Sequence, residues 1–252
     1  MARYLLRLSY HGAPFRGFAP NDGVPTVGGT LRAALETVVQ HVVPITCAGR
    51  TDAGVHALDQ AVHFDTEQSV DGDALRGSLN GLCKPHIVVH SVEPVDDDFD
   101  ARFSCTGRTY RYRVLNRRIP DPFRREYTWR VIGTLDIEAM NAAGQHLLGT
   151  HDFSSFCKRQ FDTTQPEPVE KHRTRSLRSV AWTRAADDEV HLTIEASSFC
   201  QQMVRSITGL TVDVGLGRIS VGDVVDVLEA RDRLRVPRVA PPEGLFLFHV
   251  AY

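Results

Sequence analysis

Residues 47–57 read Cys-Ala-Gly-Arg-Thr-Asp-Ala-Gly-Val-His-Ala, a run in which one carboxylate, that of Asp52, stands between two glycines. Gly49 and Gly54 permit positive φ angles and a close approach of a ligand to the backbone. A carboxylate on such a loop, two residues from Arg50, suits a nucleophile or an electrostatic stabiliser. An aspartate that caps a turn or a helix accounts for the same residues equally well. The spacing alone leaves both interpretations open.

The segments on either side of this loop have the periodicities of short strands and amphipathic helices. Apolar residues alternate with polar ones, or run together, where we predict strands: residues 3–10, 61–65, 86–93, 108–115, 176–184, 189–196 and 245–251. Helical spacing predicts helices at about 26–40, 71–80, 136–148 and 200–214, and another that starts at Ser220 with Asp223 as a capping-box acid. This order is not a regular βαβ alternation, so it favours an α+β fold in which helices cover one side of an antiparallel sheet.

The acidic stretch at residues 93–100 is the best candidate for a domain boundary. Both sides of it mix strands with helices, and neither side contains a low-complexity segment. We therefore predict an N-terminal subdomain over 1–100, which carries the Asp52 loop, and a C-terminal subdomain over 101–252.

The charge of the chain is unevenly distributed. The net charge is −2, yet residues 102–130 hold nine arginines against Asp121 and Glu126, a local charge of +7. Such polarity suits a protein with one surface that faces phosphates. Only three of the 29 basic residues are lysines, so a general preference for arginine offers a second explanation.

The cysteines and the apolar runs point to the cytoplasm. Five cysteines without a CxxC pair argue against a disulfide framework and a structural zinc site, and predict reduced, mostly buried thiols. No apolar run approaches the length that crosses a bilayer, and arginines interrupt the N-terminus too early for a signal peptide.

The Asp52 run also resembles a known motif. Gly49-Arg50-Thr51-Asp52-Ala53-Gly54-Val55-His56-Ala57 is similar, nearly letter for letter, to the catalytic motif of the tRNA pseudouridine synthase A family. Further similar runs extend over almost the whole chain: Leu8–Gly12 with Phe15 and Gly17, Arg108–Tyr112, Gly149–Cys157, Phe199–Gly209 and Pro241–Leu245. Three places depart from the family pattern, namely Gly17-Phe18-Ala19, Thr26-Val27-Gly28 and Asp59.

The resemblance implies an isomerisation in which the N1–C1′ bond of uridine breaks, the uracil rotates, and C5 bonds to C1′. No cofactor or metal is expected. Asp52 would be the catalytic nucleophile, and Arg205 would pair with it and keep it ionised. Tyr110 would stack on the uracil, and Arg50 would contact the flipped-out base or its phosphate. His56 would support the loop.

The resemblance also implies a fold and partners. It implies two RRM-like, or ferredoxin-like, subdomains joined through a largely antiparallel central sheet, with the active-site cleft between them. It implies a homodimer that binds tRNA and modifies uridines of the anticodon stem-loop, at positions 38–40 of the tRNA. Two other functions stay open: an RNA-binding protein without catalysis, and a glycosidase that excises the base. Glycosidases usually need a second carboxylate as an acid, and no motif supplies one here.

Overall fold

The computed structural model describes residues 1–21, 23–162 and 168–252, in which strands and helices are mixed along the chain. The strands of this part are β1 (Ala2–Tyr10), β2 (Ile45–Cys47), β3 (His56–Thr66), β4 (Ile87–Val95), β5 (Gly107–Leu115), β6 (Trp129–Arg130), β7 (Gly149–Asp152), β8 (Phe161–Asp162), β9 (Val169–Glu170), β10 (Thr174–Arg184), β11 (Glu189–Ala196) and β12 (Leu245–Ala251). The α-helices of the same ranges are α1 (Val27–Val39), α2 (Gly72–Cys83), α3 (Ile137–Gln145), α4 (Met203–Gly215) and α5 (Asp223–Ala230).

All five predicted helices are present, and three of them begin with a side-chain cap. Thr26, Asp71 and Asp136 each accept a hydrogen bond from a backbone N–H in the first turn of α1, α2 and α3. The predicted capping box at α5 is confirmed, because Ser220 N donates to Asp223 Oδ2 at 2.9 Å and Asp223 N donates to Ser220 Oγ at 3.2 Å. None of the helices in the described ranges is both long and apolar enough to cross a bilayer.

The predicted strand at 61–65 is too short. β3 begins at His56, immediately after the Asp52 loop, and β2 pairs with it in antiparallel register from Ile45 opposite Phe64. The sequence signal is weak here because β3 places a polar side chain in the core, the fully buried Gln60, and exposes Leu58.

The chain divides into two compact units, Met1–Arg108 with Phe246–Tyr252, and Thr109–Leu245. The first boundary therefore lies after residue 100, and the C-terminal strand belongs with the first unit. This division reflects only which parts of the chain pack together. The functional subdomains 1–100 and 101–252 therefore stay a prediction.

The first unit contains a sheet with the strand order β4-β1-β3-β12. β1 pairs antiparallel with both β3 and β4, whereas β12 pairs parallel with β3, with Phe246 opposite His56. Leu6, Leu8 and Leu31 are fully buried. Helix α2 packs on β4 and on α1. The parallel pairing puts Phe246 beside the first residue of β3, at the end of the Asp52 loop.

The second unit contains strands in the order β5-β11-β10-β7, with β6 parallel to β5. β10 pairs antiparallel with β11 and β7. Helix α3 packs on β10 and on α4, and twelve of the thirteen residues of α4 are buried. The exception is Arg205, which is half-buried. The predicted mixture of helices with largely antiparallel sheets is thus confirmed.

The prediction of five reduced cysteines is wrong at two positions. Cys157 and Cys200 form a disulfide, and their Cα atoms are 5.7 Å apart. Cys47, Cys83 and Cys105 are free. The pairing joins the end of the 3-10 helix Ser154–Phe156 to the loop before α4, two segments 43 residues apart in sequence, so spacing along the chain could not indicate it.

Candidate active site

The Asp52 loop is held from both sides within the first unit. The hydroxyl of Thr51 lies 2.8 Å from the phenolic oxygen of Tyr10 in a buried hydrogen bond. Thr51 O accepts from Phe18 N at 3.1 Å, and Asp52 O accepts from Val55 N at 3.1 Å. Thr51 is buried and Asp52 is half-buried. The backbone on either side of the Asp52 carboxylate is therefore held in place by hydrogen bonds.

The glycines of the first loop make room for the Asp52 loop. Gly17 has φ +99°, and a Cβ there would lie 3.0 Å from Thr51 O. A Cβ at Gly12 would lie 2.0 Å from Val55 O, a distance no side chain tolerates. Of the two glycines that flank Asp52, Gly54 uses the positive φ that a glycine permits, at 78°, and Gly49 does not.

His56 supports the loop, as we predicted, and its position leaves it little freedom. The side chain is buried, and Nδ1 accepts a hydrogen bond from Gly12 N at 3.0 Å. The ring stacks on those of His11 and Phe246, at centroid distances of 5.1 and 4.6 Å. Because Nδ1 is an acceptor, the ring is in the tautomer with its proton on Nε2.

Two residues that support the loop were not identified from the sequence. Gln60 Nε2 donates to Gly49 O at 2.7 Å and to the Tyr10 phenol at 3.4 Å. Arg108 donates to Ala48 O through Nη2 at 2.6 Å and Nε at 3.1 Å. A buried glutamine in an apolar strand is the one signal that could have marked Gln60. Arg108 had been counted among the arginines that face phosphates, and it is buried instead.

The residues that depart from the family pattern either fit against one another or bind nearby residues. A Cβ at Gly28 would lie 2.6 Å from Phe18 O and 3.2 Å from the Phe18 ring, so the glycine accommodates the phenylalanine. Asp59 accepts from Arg7 at 3.1 Å and from Val250 N at 3.2 Å, and it lies 2.8 Å from His249 Nδ1. It therefore ties β3 to β1 and β12.

Arg50 lies on the same loop as Asp52 and is exposed. The described part of the chain offers its guanidinium no carboxylate within ion-pair distance. A structural salt bridge, the alternative role for Arg50, is therefore not formed with these residues. Its charge remains available to a ligand.

Tyr110 and Tyr112 share strand β5, and both are buried. Tyr112 Oη donates to Pro241 O at 2.7 Å, and its ring meets Trp129 edge-on at 6.2 Å. Burial raises the pKa of the Tyr112 phenol well above its usual value. Tyr110 meets Phe199 edge-on, at a centroid distance of 5.1 Å. Tyr112 is thus part of the core of the second unit.

Arg205 projects from the first turn of α4 and is oriented by backbone. Its Nε donates to Ala240 O at 2.7 Å, and its own carbonyl accepts from Ala240 N at 3.0 Å. Gly209 allows the segment before Ala240 to approach α4 closely, because a Cβ at this position would lie only 2.4 Å from Arg238 O. This contact restricts the guanidinium to one side of the helix.

The basic segment 102–130 is partly neutralised by its own neighbours. Arg113 and Arg124 pair with the buried carboxylate of Glu189 at 2.8 and 3.4 Å. Arg117 donates to Ile119 O at 2.7 Å and closes a local turn. The surface available to phosphates is therefore smaller than the local charge of +7 suggested.

The four predicted site residues are divided between the units: Asp52 and Arg50 share a loop of the first unit, and Tyr110 and Arg205 belong to the second. The pairing of Asp52 with Arg205 stays a prediction. Within residues 1–21, 23–162 and 168–252, histidine, cysteine and carboxylate side chains form no group of three that could hold a metal ion.

Comparisons with known proteins bear on the same residues. The sequence model described as tRNA pseudouridine synthase matches residues 9–104 and 143–252. The tRNA pseudouridine synthase A of Caulobacter vibrioides is 41% identical over all of this chain and 99% of its own length. Those of Myxococcus xanthus and Bacillus subtilis are 40% and 38% identical, over 100% and 97% of this chain and 92% and 97% of their own lengths.

A solved structure of a Cbf5–Nop10–Gar1 complex shows 11% identity over 83% of this chain and 45% of that chain, with a TM-score of 0.34. This similarity is too low to inform the fold. The family match covers the Asp52 loop and α4, and the relatives match over nearly their full lengths. The chain belongs to the tRNA pseudouridine synthase family.

Proposed function

We propose that this protein isomerises uridine to pseudouridine in tRNA, and that Asp52 is the nucleophile. The observation that carries the proposal is the anchoring of the Asp52 loop. A reacting group gains most when its position is set before substrate binds. The Tyr10–Thr51 hydrogen bond and the backbone contact from Phe18 supply that anchoring.

The chemistry needs no group donor. Asp52 attacks the ribose at C1′, or the reaction starts with proton loss at C2′; in either route the N1–C1′ bond breaks. The uracil then rotates and C5 bonds to C1′; this breaks the Asp52–C1′ bond in the first route, and in the second route C2′ takes back a proton. The C5 proton leaves, and N1 of the product carries a proton. Neither route is favoured by the geometry of the loop.

Of the other three residues, two act on the substrate and one on Asp52. We assign stacking on the uracil to Tyr110, whose phenol oxygen helps to remove the C5 proton. The assignment to Tyr110 rather than Tyr112 is supported by the bond from Tyr112 to Pro241, which commits that hydroxyl to the core. Arg205, oriented by Ala240 O, pairs with Asp52 and holds its rotamer. Arg50 contacts the flipped nucleotide.

The finer identity of the substrate and the assembly belong to the same proposal. The resemblance of the Gly49–Ala57 motif supports uridines of the anticodon stem-loop as targets, a homodimer as the binding form, two RRM-like subdomains, and a cytoplasmic location. A negative stem-loop also suits a chain that concentrates nine arginines in one segment.

One assay separates this function from the two alternatives. The protein is incubated with bulk tRNA that carries tritium at C5 of uridine. Isomerisation releases tritium to water while the base stays attached to the RNA. A base-excising glycosidase releases labelled uracil, and a binding protein without catalysis releases neither. Labelled uracil, or no release at all, would overturn the proposal.

A further inference from the structure

A pocket rich in arginine lies in the second unit, outside the predicted basic segment. Its volume is about 380 Å³, and four of its seven lining residues are arginines: Arg159, Arg173, Arg231 and Arg233. They come from the segment after the 3-10 helix Ser154–Phe156, from the residues before β10, and from the end of α5. Positive groups from three distant parts of the sequence therefore meet at one place.

Carboxylates only partly neutralise these arginines. Arg159 and Arg173 share a single carboxylate, that of Glu170. Arg231 Nε lies 3.6 Å from Asp152 Oδ2, beyond hydrogen-bond distance. Two of the four side chains reach well into solvent, since Arg159 is 76% and Arg231 69% exposed. Their donors are accessible to a ligand.

Arg233 is half-buried and has only neutral partners among the described residues. It donates to Ser155 O and to Gln202 Oε1, both at 3.2 Å. Burial, and then the positive charge of Arg205, lower its pKa. Arg233 has no ion pair among the described residues, and the pocket lining holds one carboxylate, that of Asp232, against four arginines. This excess of guanidinium donors favours an anionic ligand.

The position of the pocket suggests which anion it binds. Gln202, the partner of Arg233, is the N-cap residue of α4, and Arg205 lies in the first turn of that helix. A ligand in the pocket would therefore lie near the end of α4 that carries a predicted substrate-binding residue.

We infer that this arginine pocket binds a backbone phosphate of the tRNA, close to the nucleotide on which Asp52 and its proposed partner Arg205 act. The inference rests on the proposed function. The planar guanidinium donors match the oxygens of a phosphodiester in pairs, and the exposed Arg159 and Arg231 lie beside the half-buried Arg233.

The test compares tRNA affinity as a function of salt for variants of the full chain. Arg159→Gln combined with Arg231→Gln removes two exposed charges without touching a buried contact, and Arg233→Gln removes the inner one. Arg235→Gln is the matched control, because Arg235 lies on the same segment, is exposed, and does not line the pocket. Filter binding measures Kd from low to moderate salt.

Both pocket variants should bind tRNA more weakly than the wild type at low salt, with a log–log salt slope smaller by about 1, whereas Arg235→Gln should keep the wild-type slope. A wild-type slope in the double variant would overturn the inference, even if Arg233→Gln failed to fold. An equal loss in Arg235→Gln would also overturn it, since the pocket would then be no distinct subsite.

Two further measurements separate the possible failures. Thermal shift with inorganic phosphate tests whether the pocket binds a free anion. If phosphate stabilises the wild type but not the pocket variants, and the salt slope of tRNA binding is unchanged, the ligand is a free phosphate and the inference is overturned. Tritium release by the wild type reports the proposed function independently. If the wild type releases tritium and the slopes do not change, only the pocket inference has failed.

Discussion

The phenolic oxygen of Tyr10 lies 2.8 Å from the hydroxyl oxygen of Thr51, so a buried hydrogen bond joins strand β1 to the residue before Asp52. Gln60 Nε2 reaches the same phenol at 3.4 Å. The position of the proposed nucleophile thus depends on a tyrosine 42 residues earlier in the sequence.

We expect Tyr10→Phe to lower turnover more than affinity. The variant leaves Thr51 and Gln60 short of a partner, at a cost of about 1–3 kcal/mol for a buried polar group, and a displaced nucleophile costs up to about 100-fold in rate. Single-turnover tritium release and filter binding measure both effects. Tyr4→Phe, on the same strand but bonded to Val70 N, is the control. Equal losses in the two variants would mean that the effect is general destabilisation.

Asp52→Asn should abolish tritium release while tRNA affinity stays within a few-fold of the wild type. The amide keeps the shape of the side chain and removes its nucleophilic charge. Asp73→Asn, at a side chain that is 86% exposed, should leave turnover unchanged. Measurable turnover by purified Asp52→Asn would refute the assignment.

Tyr110→Phe and Tyr112→Phe should behave differently. The ring of Tyr110→Phe still stacks, a contribution of about 1–3 kcal/mol per base, so we expect near-normal binding and a large loss of turnover. Tyr112→Phe loses its bond to Pro241 O, which should lower stability by about 1 kcal/mol with turnover close to that of the wild type. Thermal melts and single-turnover assays measure the two properties. An active Tyr110→Phe with an inactive Tyr112→Phe would move the catalytic tyrosine by two residues.

In the basic segment, Arg118 is the better probe of phosphate contact than Arg117, which is bonded to its own turn. No carboxylate in the described ranges pairs with Arg118. If the segment faces tRNA, Arg118→Gln should lower the log–log salt slope of binding by roughly 0.7–0.9 for the one phosphate released. Arg76→Gln, on α2, serves as the control. Identical slopes for wild type and Arg118→Gln would favour the other explanation of the basic segment, a general preference of this chain for arginine over lysine.

Glu189 should contribute stability that depends on pH. Burial raises the pKa of this carboxyl, but hydrogen bonds from Arg113 and His191 outweigh it and hold the pKa below its usual value. A depressed carboxyl pKa adds stability above the unfolded-state pKa, and that stability is lost as the pH falls through the folded-state pKa. Glu189→Gln should therefore lower stability at pH 7 by about 1–3 kcal/mol and flatten its decline below about pH 4.5. Denaturant titrations at pH 7 and pH 4 measure this. The same decline in both proteins would show that other carboxyls cause it.

Local patterns determined much of this protein. The helical spacing around Leu31 and Leu35, the capping pair Ser220–Asp223, and the strand at 245–251 depend on residues close together in sequence, so they could be predicted without the fold. The Asp52 loop was recognisable for the same reason, because nine consecutive residues carry its motif.

Only the tertiary structure decided which side chains support that loop and which face away from it. Strand β12 adds parallel to β3 and brings Phe246 onto His56, Arg108 folds onto Ala48 O, and Cys157 bonds to Cys200. Each partner lies tens to hundreds of residues away along the chain. Burial and pairing between such distant residues arise when the core forms, and periodicity carries no record of them.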